Sequence, residues 1–317
     1  LNIKDLKNFK KEMDSLLAPT PATGQPAVCR VAISPVRLEP SDASEIVTQI
    51  LFGELVEILQ IHPVKKLWAK VRCEWDGYLG WLDVRQLTPV SDVFYAEARE
   101  NYAVVYDLTH ETTSETHFQL LTMGARLPMF DGVSFRLGDA RFSFAGQAVQ
   151  RGRIPATADW AVKLARRYSF APYLWGGRSP FGIDCSGFTQ SVFKFLDIPL
   201  LRDASQQATQ GEEVGFVEAT QAGDLVFFDN AKGKITHVGI MLDSEKIIHA
   251  SGHVRVDRLD HQGIFNEERN EYSHQLRVIK RILPPFVAAE PSLSLKDSVE
   301  MPEMPSPIQN QISLFEK

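Results

Sequence analysis

The chain has 317 residues, 44% of them hydrophobic, enough to bury a real core and to fill two or three domains. Its 34 Lys+Arg against 40 Asp+Glu leave a net charge of −6, so no basic surplus favours nucleic acid or anionic lipid. No apolar run nears the roughly 18 residues that a membrane-spanning helix needs, and lysines stand in the first twenty residues where a secretion signal has its apolar stretch. The chain does not begin with Met, and the expectation is a cytoplasmic monomer, or a periplasmic or secreted one if a leader has been removed.

In chain order, Ile3, Leu6, Phe9, Met13 and Leu16 follow the period of one helix face, predicting a short N-terminal helix and linker over 1–27. From residue 28 to 90 the texture is short β-branched runs at Cys29–Ile33, Glu54–Ile61, Trp68–Cys73 and Gly77–Leu82, which reads as a small all-β barrel. Residues 91–150 repeat that texture without repeating its letters. Strands are expected there at Tyr102–Tyr106, Gln119–Met123, Arg126–Phe130 and Ala140–Gln147, with Thr112-Thr113-Ser114 as a turn. A mixed α+β domain is expected over 151–285. It opens with a helix from Ala158 to Tyr168, continues through a Gly-rich loop and a helix at Ser186–Leu196, and ends in strands at Asp224–Phe228, Ile235–Leu242 and Lys246–Ala250. The proline-rich stretch 286–317 reads as a loose tail.

Three cysteines, Cys29, Cys73 and Cys185, are too few for a disulfide framework or a paired metal site. The first two sit in apolar strand-like runs and read as small core residues. Cys185 opens a helix behind Gly176, Gly177 and Gly182, where unpaired N–H groups and the positive helix end favour a thiolate and can hold an oxyanion. A nucleophilic Cys needs a base, and a base needs an orienting partner. His237 and His249 lie in two strands joined by a short turn, and an even register sets both imidazoles on one sheet face. His237 is then the expected base and His249 the group that fixes its tautomer. Zinc on Cys185, His237 and His249 is the competing reading, weakened by the lack of paired-ligand spacing, so neither metal nor cofactor is expected. The remaining histidines, His62, His110, His117, His253, His261 and His274, stand in polar contexts and read as solvated.

Five segments together closely resemble the NlpC/P60 family of papain-like cysteine peptidases: Tyr-Leu-Trp-Gly-Gly at 173–177, Gly-Ile-Asp-Cys-Ser-Gly-Phe at 182–188, Gly-Asp-Leu-Val-Phe-Phe at 223–228, Thr-His-Val-Gly-Ile at 236–240 and Ile-Ile-His-Ala-Ser at 247–251. Val36-Arg37-Leu38-Glu39-Pro40-Ser41 and Gly77-Tyr78-Leu79-Gly80-Trp81 resemble bacterial SH3 (SH3b) domains. The resemblance implies a multidomain chain of two small SH3-like barrels followed by an α+β papain-like domain. It also implies a peptidase cutting the γ-D-Glu–diamino acid bond of peptidoglycan stem peptides with a free N-terminal L-Ala, as in cell-wall recycling. Glu45 and Tyr78 are the expected contacts to the free amine. Trp175, Asp184, Ser186 and Asp203 match pocket positions, and Tyr173 matches the tyrosine of the oxyanion side. One departure stands out: relatives commonly read Arg-Asp-Ser, whereas Arg202-Asp203 is followed here by Ala204 and then Ser205. The alternatives are a silent module that only binds wall fragments, and an amidase or acyltransferase on the same fold.

Overall fold

The computed structural model describes residues 22–116 and 118–284, so the expected N-terminal helix, His117 and the tail lie outside the described residues. The first β region is one seven-stranded antiparallel sheet ordered β3-β2-β6-β5-β4-β1-β7. Its strands are β1 (Pro26–Cys29), β2 (Ile33–Arg37), β3 (Ile46–Leu51), β4 (Leu55–Ile61), β5 (Trp68–Cys73), β6 (Leu79–Asp83) and β7 (Leu87–Pro89). Alternation in β2 buries Val36 and directs its neighbours outward, as a half-buried strand requires. Cys29 and Cys73 are core residues here.

The second region differs from the expected all-β module. Residues 92–100 form helix α1 (Asp92–Glu100), capped by the Ser91 hydroxyl, which accepts from the Phe94 N–H at 3.1 Å. Seven strands follow, namely β8 (Tyr102–Val105), β9 (Thr109–Ser114), β10 (Phe118–Thr122), β11 (Arg126–Pro128), β12 (Ser134–Leu137), β13 (Ala140–Phe144) and β14 (Ala148–Gln150). They form a four-stranded and a three-stranded sheet. Thr112-Thr113-Ser114 is not a turn but the end of β9, because its backbone pairs with β10 on one side and β13 on the other. Nor does the region keep a core to itself. Phe94, Leu121, Leu127 and Phe135 pack with Val28, Phe52 and Leu55 of the first region, so the two share one apolar interior.

The third region holds α2 (Ala158–Arg167), the hairpin β15 (Arg178–Ser179) and β16 (Gly182–Ile183), α3 (Cys185–Phe195), α4 (Ala204–Gln207) and strands β17 (Glu212–Glu213), β18 (Leu225–Asp229), β19 (Ile235–Met241), β20 (Lys246–Ser251), β21 (His253–Leu259), β22 (Gly263–Asn266) and β23 (Glu271–Arg281). The sheet runs β17-β23-β18-β19-β20-β21-β22, and an extra β22–β23 pairing closes it into a barrel, a closure that the α+β reading did not contain. Helices α2 and α3 pack Leu164, Phe188 and Val192 against Leu225, Val238 and Ile248. Buried aliphatic and aromatic side chains of this size each contribute about 1.5–3 kcal/mol relative to exposure, so α3 is pinned rigidly to the sheet.

Candidate active site

Cys185 is the first residue of α3. The Asp184 carboxylate before it caps the helix, accepting from the Gly187 N–H at 2.6 Å. The same carboxylate accepts from the Gly176 N–H at 2.8 Å and from the Arg202 guanidinium at 2.6 and 3.1 Å, while the Ser186 hydroxyl donates to it at 3.3 Å. Arg202 is fully buried, donates to the Ser186 oxygen at 2.8 Å and reaches the Thr48 hydroxyl of the first region at 2.8 Å. Asp184 and Ser186, expected as pocket contacts, do line the cleft, but their polar atoms are largely spent on this lock.

Gly176 explains part of the loop sequence. Its φ is +77°, and a Cβ there would lie 2.3 Å from the Ile46 carbonyl oxygen, so only glycine lets the loop before Cys185 approach β3.

The cleft beside the sulfur has a volume of about 370 Å³ and is lined from two regions of the chain. Glu45 and Tyr78 come from the first β region; Tyr173, Trp175, Asp184, Cys185, Ser186 and Asp203 come from the third. The structure thus brings together eight of the ten residues singled out in the sequence. Trp175 is 59% exposed and walls the cleft instead of filling a core. Its indole N–H donates to Glu45 Oε1 at 2.6 Å, and the Tyr78 hydroxyl donates to the Asp203 carboxylate at 3.2 and 3.4 Å. Burial and then the neighbouring Asp203 charge push the Tyr78 phenol up to about 12, so it remains a donor at neutral pH. Burial, followed by the Cys185 charge, likewise pushes Tyr173 up to about 12. Ala204 and Ser205 both face the cleft, so the shifted serine is still at its wall. Lys234 stands at the rim, with no carboxylate in ion-pair contact among the described residues.

The remaining two, His237 and His249, are buried behind the cleft wall on β19 and β20. The Cys185 thiol lies 4.0 Å from the carbonyl oxygen of Thr236, the residue before His237. Gly239 pairs with His249 across the hairpin, which leaves His237 and His249 on one face, with His237 Nε2 2.8 Å from His249 Nδ1. Burial holds both imidazoles below the ordinary histidine value, His237 well below it.

Two residues of this cluster escaped the sequence reading. Asp257 Oδ2 lies 2.9 Å from His249 Nε2. His274, expected to be solvated, instead stacks on His237 with centroids 4.0 Å apart and an interplanar angle of 23°. Neither sits in a motif. Period-two spacing in the strand Arg255-Val256-Asp257 was the available signal for Asp257.

Nitrogens of His237, His249 and His274 lie within 4.8 Å of one another. That spacing is close enough for a shared metal ion, while His237 Nε2 is engaged by His249 Nδ1 at 2.8 Å. The expected thiolate is also corrected. Burial pushes the Cys185 thiol up to about 12, the Asp184 charge adds to this, and the Val238 N–H, Arg202 and the Ser186 N–H pull back only in part.

A cysteine at a helix start, packed against a strand that carries a buried imidazole, is an arrangement that suits a cysteine peptidase. Residues 171–270 match the NlpC/P60 family and residues 36–87 match the bacterial dipeptidyl-peptidase Sh3 domain. Curated relatives include the gamma-D-glutamyl-L-lysine dipeptidyl-peptidase of Bacillus subtilis, 33% identical over 65% of this chain and 72% of that protein. Another is the enzyme of the same name from Bacillus cereus, 30% identical over 66% of this chain and 68% of its own. An NlpC/P60 family protein of known crystal structure from Bacillus cereus superposes with a TM-score of 0.69 at 23% identity, covering 82% of this chain and all of that one, which shows a shared fold. The chain belongs to the NlpC/P60 family of cysteine peptidases and carries an N-terminal bacterial SH3 domain.

Proposed function

We propose that the protein hydrolyses the bond between γ-D-Glu and the diamino acid in peptidoglycan stem peptides that begin with a free L-Ala. The observation that carries this reading is the composition of the cleft. A nucleophilic sulfur shares about 370 Å³ with two carboxylates, Glu45 and Asp203, contributed by different regions of the chain. Carboxylates bind an ammonium by charge-assisted hydrogen bonds, and Trp175 narrows the slot to a single peptide strand. Relatives about 30% identical are named for the same reaction class.

In this reading the peptide enters with its ammonium between Glu45 and Asp203, and its γ-glutamyl carbonyl meets Cys185. Thiol and imidazole are both neutral at rest, so proton transfer from sulfur to His237 accompanies attack on the carbonyl carbon. Tyr173 and the N–H groups at the start of α3 face the developing oxyanion. The tetrahedral intermediate collapses as His237 returns the proton to the departing diamino acid amine, leaving a thioester on Cys185. Water, deprotonated by His237, attacks that thioester and frees L-Ala-γ-D-Glu and the thiol.

The test uses purified full-length chain under reducing conditions, with L-Ala-γ-D-Glu-diaminopimelate, its lysine counterpart and their N-acetyl forms, products being identified by mass spectrometry. Cleavage of the free-amine peptides, loss of it in Cys185→Ser and at least tenfold slower turnover of the acetylated forms are expected. Intact free-amine peptides at every pH from 5 to about 9 overturn the proposal.

A further inference from the structure

Strand pairing sets a carboxylate behind the second histidine. His249 on β20 faces Arg255 on β21, and Asp257 faces Ile247, so period-two alternation puts Arg255 and Asp257 on the face that His249 occupies. Asp257 is gripped by a fork: Arg255 Nε reaches Oδ2 at 2.8 Å and Nη2 reaches Oδ1 at 2.9 Å. Arg255 is itself braced by Glu268 at 3.0 Å.

Proton bookkeeping along this line has one solution. A carboxylate clasped by a guanidinium carries no proton, so in the 2.9 Å contact His249 Nε2 must be the donor. A neutral His249 then holds a bare Nδ1, which can only accept. In the 2.8 Å contact the donor is therefore His237 Nε2–H, and the bare nitrogen of His237 is Nδ1. His274 covers one face of His237, Phe228 lies 5.8 Å from it, and His274 also meets His249 edge-on at 5.6 Å. Among these neighbours the carboxylate of Asp257 is the obligate acceptor, so it sets the direction of the chain.

We propose that Asp257, held by Arg255, is a positioning residue that fixes the tautomers of both His249 and His237 and so leaves Nδ1 of His237 as the site that takes the Cys185 proton. This rests on the peptidase reading and adds a fourth member to its relay.

The experiment is a long-range proton–nitrogen correlation spectrum of the full chain labelled with ¹⁵N-histidine at pH 7, assigned by the signals lost in His237→Gln and His249→Gln. Both rings are expected in the Nε2–H form. In Asp257→Leu the His249 ring should lose its single tautomer, and kcat should fall at least ~10-fold. That is less than the ~10⁴-fold cost of losing an acid directly behind the base. KM should stay within about twofold, because Asp257 does not line the cleft. Asp257→Glu should recover both readouts in part. A wild-type spectrum with the His237 proton on Nδ1, or an Asp257→Leu protein with unchanged tautomers and kcat, overturns the proposal. The wild-type spectrum decides even if the variant does not fold. Predicted tautomers in a protein that leaves the stem peptide intact would count against the peptidase reading alone.

Discussion

Glu54 offers the sharpest perturbation, because one buried carboxylate holds three regions of the chain together. It leaves the first β region with its Oε2 accepting from the Leu51 N–H at 2.8 Å. Arg178, in the hairpin before Cys185, binds it through both terminal nitrogens at 2.9 and 3.0 Å. Lys194, on the helix that Cys185 starts, reaches it at 2.5 Å and also donates to the Gly124 carbonyl of the second region at 2.7 Å. Side-chain exposure of Glu54, Arg178 and Lys194 is 4%, 3% and 1%, so solvent cannot replace a lost partner. Replacing Glu54 by Leu strands two cations. Breaking one buried pair costs about 3–5 kcal/mol. Burial already holds Lys194 down to about 7, so it can shed its proton, whereas Arg178 cannot. The expected loss is thus ~3–5 kcal/mol, not twice that, measured by urea unfolding followed through tryptophan fluorescence. Glu54→Leu with Lys194→Met should regain ~1 kcal/mol or more, since the second change removes a buried amine left with only the Gly124 carbonyl as partner. The pH dependence has a definite sign. Burial works against the Glu54 anion, but Arg178, Lys194 and Arg126 outweigh it and hold its folded pKa below the ordinary glutamate value. Its contribution is therefore complete above the unfolded value of about 4.3 and fades as pH falls below it, so wild type and Glu54→Leu should converge in acid. A loss under ~1 kcal/mol at pH 7, the range of exposed ion pairs, refutes the reasoning.

A thiol raised to about 12 is protonated throughout the neutral range. Iodoacetamide should accordingly modify Cys185 in the free enzyme at a rate that climbs steadily beyond pH 9, and a plateau beginning below pH 7 would show a standing thiolate–imidazolium pair instead. Tyr78→Phe removes the hydroxyl that orients Asp203, so KM for free-amine peptides should rise about 3- to 10-fold with kcat nearly constant, and steady-state kinetics showing the reverse split would argue for a role in the chemical step. Lys234→Glu turns the one cation at the cleft rim that lacks a counter-charge among the described residues into an anion. Turnover of a peptide whose diamino acid ends in a carboxylate should fall at least ~3-fold relative to one ending in an ammonium, a ratio that competition between the two substrates measures directly. An unchanged ratio would place that end of the peptide beyond the reach of Lys234.

What could be read from the letters was what depends on near neighbours in sequence. Asp184, Cys185 and Gly187 announce a helix start within four residues, and His237 and His249 share a face because a short turn fixes their register. Helix α1 gave no such signal. Only Phe94 and Ala98 are buried along it, too thin an apolar stripe to show a helical period. His274 meets His237 from β23, a strand joined to β18 by long-range pairing that no local pattern encodes, whereas Asp257 lies on the tight β20–β21 hairpin, where only its period-two spacing pointed to it. The ionisation of Cys185 went wrong for a different reason, one of magnitude. A helix N-terminus contributes about 0.3–1 kcal/mol toward an anion, at most ~2 in favourable sites. Full burial can shift a group by up to 3–5 pKa units at 1.36 kcal/mol each, several times more. With Asp184 adding its own charge beside the sulfur, burial decides the resting state. In the proposed mechanism a neutral thiol with a neutral imidazole as its base stays unreactive until a carbonyl arrives to receive the electron pair. Such a site gains from a base whose accepting nitrogen is set in advance, because no charge attraction between sulfur and ring is available at rest to orient it.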